Sequence, residues 1–478
     1  MKATFTDCYE FTMGNVEFLE GRQNEISYFD LFFRKIPQKA GYAIFAGLEK
    51  VIEDIKNIKF EEEELKFLKE ELGCCDKYID ALRNFKLECD ISSVVEGTPI
   101  FPNEPIMTVR GPKWQADIIE VKLLNSVNYQ SLVATKASRI RHSAKDKNLL
   151  EFGARRAQGD SAALWGSRAA YIGGFNGVSV VEAGVKWGIP VSGTMAHSFV
   201  QKYDSDYEAF KAYAKAFPDN AVFLVDTFDV LESGIPASIR VHKEILEPMG
   251  KRLKAIRLDS GDLAYLSKRV RKLFDLAGMQ DVKIIASNSL NEYKIFDLLA
   301  DQNAPIDTFG VGENLITGGN EPVFGCVYKL VAIEKDSKIE PRIKISENVD
   351  KITIPGAKKT FRLIDNNTNK SIADVILLEN EETPSAPYEL FDPKDITKRK
   401  VVSNFTAVPL LTPIFKKGEL VYELPSAKES KNYCIEQLDT LWEEMKRFHY
   451  PHKYYVDMSM ELWELKNKMI KERRGVLK

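Results

Sequence analysis

The residues best suited to chemistry fall in short polar clusters that end apolar runs. In KAIRLDSGDL, the carboxylates Asp259 and Asp262 flank Ser260-Gly261 directly after an apolar stretch. Carboxylates placed there can hold Mg2+ or the hydroxyls of a ribose, and Arg257 can grip a phosphate or carboxylate with its forked guanidinium. An Asp at such a place equally serves as the cap of the next helix, so both readings stand. In DTFGVGENLITGG, Gly310 and Gly312 would let backbone N–H groups approach a phosphate. A tight turn uses the same residues, and Leu315 stands where a dinucleotide-binding G-x-G-x-x-G needs its third glycine, which disfavours that site. EFGARRAQG sets Phe152 near Arg155 and Arg156, an aromatic face with guanidinium groups that suits a flat anionic heterocycle, although a surface arginine pair is the commoner fate. GIPVSGTMAHSFV places His197 just after Thr194. Among the five histidines it alone sits in a small-residue loop after an apolar run, where it could act as base or phosphoryl acceptor, or be structural.

These clusters need elements to hold them. Between Asp117 and about Leu330, apolar segments end in Gly, Ser or Asp and give way to helical patterns: LLEFGARRAQG, VSVVEAGVKWGIPVSG, AVFLVDTFD, KAIRLDSGD, VKIIASNS and PIDTFGVGENLITGG. That alternation predicts parallel strands with crossover helices, and so many units favour a closed or nearly closed barrel with functional groups at the strands' carboxyl ends. The expected fold is therefore α/β: an N-terminal α+β domain over 1–118, an irregular α/β barrel core over 119–330, and a peripheral C-terminal domain over 331–478. Within the first, Ile26–Phe33 reads as a buried strand. Phe60–Phe85 reads as a charged helical stretch with Leu65, Leu68, Leu72, Ile79 and Leu82 at helical spacing. Helices are expected over Ser426–Phe448 and Met458–Glu472, with a turn at Asn366–Asn369.

Composition excludes several classes. With 67 basic and 70 acidic side chains, the net charge of −3 gives no general field for a polyanion, so nucleic-acid binding is not expected. No window has the unbroken apolar length of a membrane helix, and the first residues lack a basic-then-apolar leader. The six cysteines form no CxxC pair, as expected of reduced thiols in a cytoplasmic protein.

Taken in order, TDCYEFTM, YFDLFFRKIP, GYAIFAGL, EGTPIFPNEP, LLEFGARRAQG, SGTMAHSF, IRLDSGDL, FGVGENLIT and VYKLVAI resemble the nicotinate phosphoribosyltransferases over roughly the first two-thirds of the chain. The resemblance implies a homodimer with active sites at the interface. It also implies transfer of phosphoribosyl from phosphoribosyl pyrophosphate to nicotinate, with Mg2+, and ATP hydrolysis coupled through a phosphohistidine. By motif, His197 would carry the phosphoryl group, and Tyr9 of a partner subunit would stack on the pyridine opposite Phe152. Arg155 and Thr194 would hold the nicotinate carboxylate or a phosphate. Arg257 and Asp259 would contact the ribose-phosphate substrate, with Asp259 and Asp262 as metal candidates and Gly310–Gly312 at its 5′-phosphate.

Four positions depart from relatives or discriminate among them. Glu313 stands where many relatives have Thr after the second glycine, so only backbone contact to phosphate is expected there. Ser289 and Asn291 replace an Asp often found in that loop, which speaks against a metal role for it. Ser179 falls where nicotinamide-using relatives carry Asp. A carboxylate would repel nicotinate's own, whereas Ser can donate to it, so the acid is favoured over the amide. Nicotinamide- or quinolinate-using transferases and a non-catalytic nucleotide sensor are the alternatives.

Overall fold

The computed structural model describes residues 2–475 and shows a mixed α/β fold in two compact units, one of residues up to 132 together with those from 323 onward, the other of residues 133–322.

The first unit is built on a seven-stranded sheet. Ile26–Phe33 is a buried strand as its apolar run predicts, pairing antiparallel with Cys326–Lys335 on one side and Met107–Pro112 on the other. A second sheet of four strands runs Phe405–Pro409, Lys358–Asp365, Ser371–Leu378, Val456–Met458. The expected turn at Asn366–Asn369 joins its two middle strands, with Asp365 Oδ1 accepting from the N–H groups of Asn367 and Thr368. The charged helical stretch is two helices rather than one, Glu62–Glu70 and Asp76–Arg83. The chain breaks between them at Gly73, whose φ of 65° is the left-handed conformation that ends helices. The C-terminal helical segments are Ala427–Asp439, Glu443–Lys446 and Met460–Arg473.

The second unit holds six parallel strands: β1 (Asn148–Glu151), β2 (Gly177–Val178), β3 (Val222–Leu224), β4 (Ala255–Leu258), β5 (Lys283–Ser287) and β6 (Thr308–Val311). Their hydrogen-bonded order is β2-β1-β6-β5-β4-β3, a ring of six consecutive strands open between β2 and β3. Beside the opening, Val178 forms a parallel bridge with Val191. The strand order is that of a six-stranded barrel cut between β2 and β3, because β1 lies beside β6 as it would in a complete ring.

Register aligns the ladders. Arg257 pairs with Leu224 and Ile285, Ser287 with Gly310, and Val311 with Glu151. Phe152, Ser179, Asp226, Asp259 and Gly312 therefore follow their strands at one edge, the carboxyl edge where α/β folds assemble sites.

Candidate active site

Arg257 is the hub. Its β4 neighbours Ile256 and Leu258 are fully buried on one face, so alternation sends the guanidinium to the other. There Nε donates to Ser287 Oγ at 2.8 Å, Nη1 to Thr194 Oγ1 at 3.2 Å and Nη2 to Asp259 Oδ1 at 2.8 Å. Its central carbon stands 5.3 Å from the centroid of the Phe152 ring. Ser287 donates its own hydroxyl to the same Asp259 oxygen. Burial raises the Asp259 carboxyl, but the hydrogen bonds and charge from Ser287 and Arg257 outweigh it and hold the group below the usual carboxylate range.

His197 begins the short helix His197–Gln201. Its Nδ1 lies 3.1 Å from Thr227 Oγ1, while Nε2 lies 3.7 Å from Asp259 Oδ2 and 4.0 Å from Asp226 Oδ1. Asp226, just after β3 with its side chain enclosed, ties the loops together: its Oδ2 accepts from the Asp259 N–H at 2.8 Å and from Ser260 Oγ at 2.7 Å. Its Oδ1 is buried without a hydrogen-bond partner. The ring nitrogen of His197 thus faces two carboxylate oxygens, and a guanidinium is clamped behind one of them.

Phe152 and the glycine loop are shaped to each other. A Cβ on Gly310 would lie 2.5 Å from the Phe152 ring, and one on Gly312 would lie 3.0 Å from the Phe152 carbonyl oxygen. Any side chain at 310 would force the ring to move, and 312 is tightly fitted. The buried Glu151 accepts from Ser167 Oγ at 3.0 Å and from the Gly153 N–H, bracing the turn that presents Phe152. Ser179, half-buried, anchors its N–H on the Glu151 carbonyl at 3.0 Å.

The other candidates fall elsewhere. Asp262 Oδ1 caps the helix Leu263–Leu276, accepting from the Tyr265 N–H at 2.9 Å. Asn291 likewise caps Glu292–Phe296. Arg155 is exposed on the single turn Ala154–Arg156, and Glu313 faces Arg156 at 3.6 Å. Tyr9 belongs to the first unit, half-exposed on helix Cys8–Leu19. Among the described residues no group of three or more His, Cys, Asp or Glu side chains is placed to hold a metal ion, no helix is long and apolar enough to cross a membrane, and the cysteines are free thiols.

Asp226, Thr227 and Ser287 are site residues that motif reasoning passed over. The signal was available: AVFLVDTFD ends an apolar run in Asp and Thr just as KAIRLDSGD ends in Asp and Ser.

Comparisons with known proteins name the family. Residues 4–128 match the N-terminal domain model of the nicotinate phosphoribosyltransferases, 148–368 the family model and 357–466 the C-terminal domain model. A nicotinate phosphoribosyltransferase of Bacillus subtilis is 47% identical over 98% of this chain and 95% of its own. That of Caenorhabditis elegans is 36% identical over 96% and 92%. The crystal structure of the human nicotinic acid phosphoribosyltransferase superposes with a TM-score of 0.86 at 30% identity, covering 97% of this chain and 99% of the other. With its segments matched from residue 4 to 466, and its arginine, carboxylates and histidine gathered at one barrel edge, the chain belongs to the nicotinate phosphoribosyltransferase family.

Proposed function

We propose that this enzyme joins nicotinate to 5-phosphoribosyl 1-pyrophosphate, releasing pyrophosphate and giving nicotinate mononucleotide for NAD salvage in the cytoplasm. The observation that carries the reading is the Arg257 guanidinium, fixed between the Phe152 ring and the Asp259 carboxylate at the barrel's carboxyl edge. Departure of pyrophosphate leaves positive charge on the ribose, so catalysis depends on placing the pyridine nitrogen and stabilising both charges. Phe152 offers a face for the pyridine, with Tyr9 of a second copy of this chain opposite. Arg257, Arg155 and Thr194 supply donors for carboxylate or phosphate, and Gly310–Gly312 offers backbone at the 5′-phosphate.

Mg2+ would arrive on the pyrophosphate of the substrate. The open Asp259 Oδ2 and the unpartnered Asp226 Oδ1 fit as its protein ligands, since Mg2+ is commonly held by one or two carboxylates plus substrate phosphates. Asp262, with one oxygen spent on its cap, is less suited. His197 would take the γ-phosphoryl group of ATP: in the tautomer whose Nδ1–H donates to Thr227, the Nε2 lone pair would attack phosphorus and the bond to ADP would break. Water later cleaves the phosphohistidine to inorganic phosphate.

Ser179 at the end of β2 supports the acid over the amide, as a hydroxyl can donate to a carboxylate. Product analysis tests the reading. Purified protein is given phosphoribosyl pyrophosphate, Mg2+ and ATP with nicotinate, nicotinamide or quinolinate. Nicotinate mononucleotide from nicotinate alone is expected. Turnover of nicotinamide in preference, or CO2 release from quinolinate, would move the assignment within the fold. No product from any of the three would leave the non-catalytic sensor.

A further inference from the structure

Strand β5 ends in an irregular turn. Directly after Ser287, which donates to Asp259 and accepts from Arg257, the chain takes positive φ at two successive non-glycine residues, Asn288 at 100° and Ser289 at 48°. A side chain crowds the backbone in that half of conformational space, and Asn288 lies beyond even its small left-handed region. Both side chains are exposed, and within the turn they share one hydrogen bond, Ser289 Oγ donating to Asn288 Oδ1 at 3.1 Å. Such a turn persists where the structure on either side of it is fixed.

Both ends are fixed. Upstream, Ser287 is buried and stands opposite Gly310 in the parallel ladder. Downstream, the Leu290 carbonyl accepts from Asn314 Nδ2 at 3.2 Å, and the fully buried Glu292 begins the helix Glu292–Phe296. Its carboxylate faces two buried cations of the long helix Glu120–Ala144: Lys136 Nζ lies 2.7 Å from Oε2 and Arg139 Nε 3.3 Å from Oε1. Positions 136 and 139, three apart, share one face of that helix. One turn further along, Ser143 Oγ donates to the Glu292 carbonyl at 2.6 Å. A buried carboxylate with two cations gains little over apolar packing of the same volume, because desolvation offsets the attraction. What such contacts add is direction: they set where residue 292 stands, a short span of chain past Ser287.

We propose that Glu292, clamped by Lys136 and Arg139, is a positioning residue of the active site: it holds the Asn288–Ser289 turn in its strained form and so fixes Ser287 against Arg257 and Asp259. Its effect on rate rests on the transferase reading, whereas its hold on the chain does not, and two measurements on the full chain separate them. Hydrogen exchange read by mass spectrometry should be at least 10-fold faster in the peptide Asn291–Phe296 of Lys136→Met than in wild type, and unchanged around Asp226. Nicotinate mononucleotide formation by the same variant should lose kcat at least 10-fold. The KM for nicotinate should stay within 3-fold of wild type, since Phe152 and Ser179 follow other strands. On a Ser287→Ala background, where the link is already cut, Lys136→Met should cost less than 2-fold more. Glycine accepts positive φ without a Cβ, so adding Asn288→Gly to Lys136→Met should raise kcat at least 3-fold. Should Lys136→Met fail to fold by circular dichroism, Arg139→Met takes its place. Unchanged exchange, unchanged kcat, a fully additive loss with Ser287→Ala, or no gain from Asn288→Gly would each overturn the proposal. No nicotinate mononucleotide from wild type would sink the transferase reading instead, and exchange would still decide the clamp.

Discussion

The Nε2 of His197 stands 3.7 Å from Oδ2 of Asp259, whose other oxygen receives Arg257 at 2.8 Å. One carboxylate therefore links the histidine to the guanidinium, and changes at either end should be felt at the other.

Asp259→Asn keeps the shape and removes the charge that fixes Arg257. A loss in kcat of about 100- to 1,000-fold is expected, the scale seen when one preorganised electrostatic contact is removed. The pH dependence has a definite sign. Because Asp259 is held below the carboxylate range in the folded chain, its contribution to stability is fully present above the unfolded value of about 3.9 and fades as pH falls through the lower folded one. Thermal melts should show wild type and Asp259→Asn converging as the solution is acidified. A gap that widens toward low pH would contradict the assigned direction.

Gly310→Ala tests the shape of the ring site. Its Cβ would meet the Phe152 ring at 2.5 Å, so the ring must move. Overpacking of this kind costs about 1–3 kcal/mol, and the KM for nicotinate should rise more than that for phosphoribosyl pyrophosphate. Equal KM values in mutant and wild type would remove Phe152 from the pyridine site.

Ser179→Asp places a carboxylate at the end of β2. Nicotinate should lose kcat/KM by at least 10-fold while nicotinamide gains relative to it, because the new charge repels one substrate and can accept from the other's amide. Steady-state rates with both pyridines decide this. An unchanged ratio would show that Ser179 does not face the ring substituent.

Stability of the first unit should depend on Arg362. It is buried, donates to both oxygens of Asp374 at 2.8 and 2.7 Å and reaches the Pro99 carbonyl at 2.9 Å. Arg362→Leu leaves Asp374 uncompensated and should cost about 3–5 kcal/mol in denaturant unfolding. A change below about 1 kcal/mol would mean that the pair is solvated or replaced.

Much of this was legible because strand ends announce themselves locally. An apolar run halting at Asp-Ser-Gly-Asp located Asp259 and Arg257 without any tertiary information, and the run Ile26–Phe33 is a strand over those same residues. Asp226 and Thr227 carry the same signal in AVFLVDTFD, yet their importance lies in contacts with Asp259, Ser260 and His197, which only the ring of strands creates. Sequence spacing likewise implies parallel strands but not that β1 returns to β6, since that ladder joins residues about 160 apart, Asn148 with Thr308. The break at Gly73 was hidden by continuous helical periodicity on either side, although the glycine that causes it was in view. Asp262 illustrates a different limit: capping and ligation look alike until the Tyr265 N–H is seen to hold one of its oxygens.

The most direct test concerns His197. Nicotinate mononucleotide formation is measured for wild type and His197→Ala, each with and without ATP, at fixed nicotinate, phosphoribosyl pyrophosphate and Mg2+. Wild type should be stimulated by ATP and release ADP, while the variant keeps a slow turnover that ATP does not change. Equal stimulation of the two proteins by ATP would contradict the account.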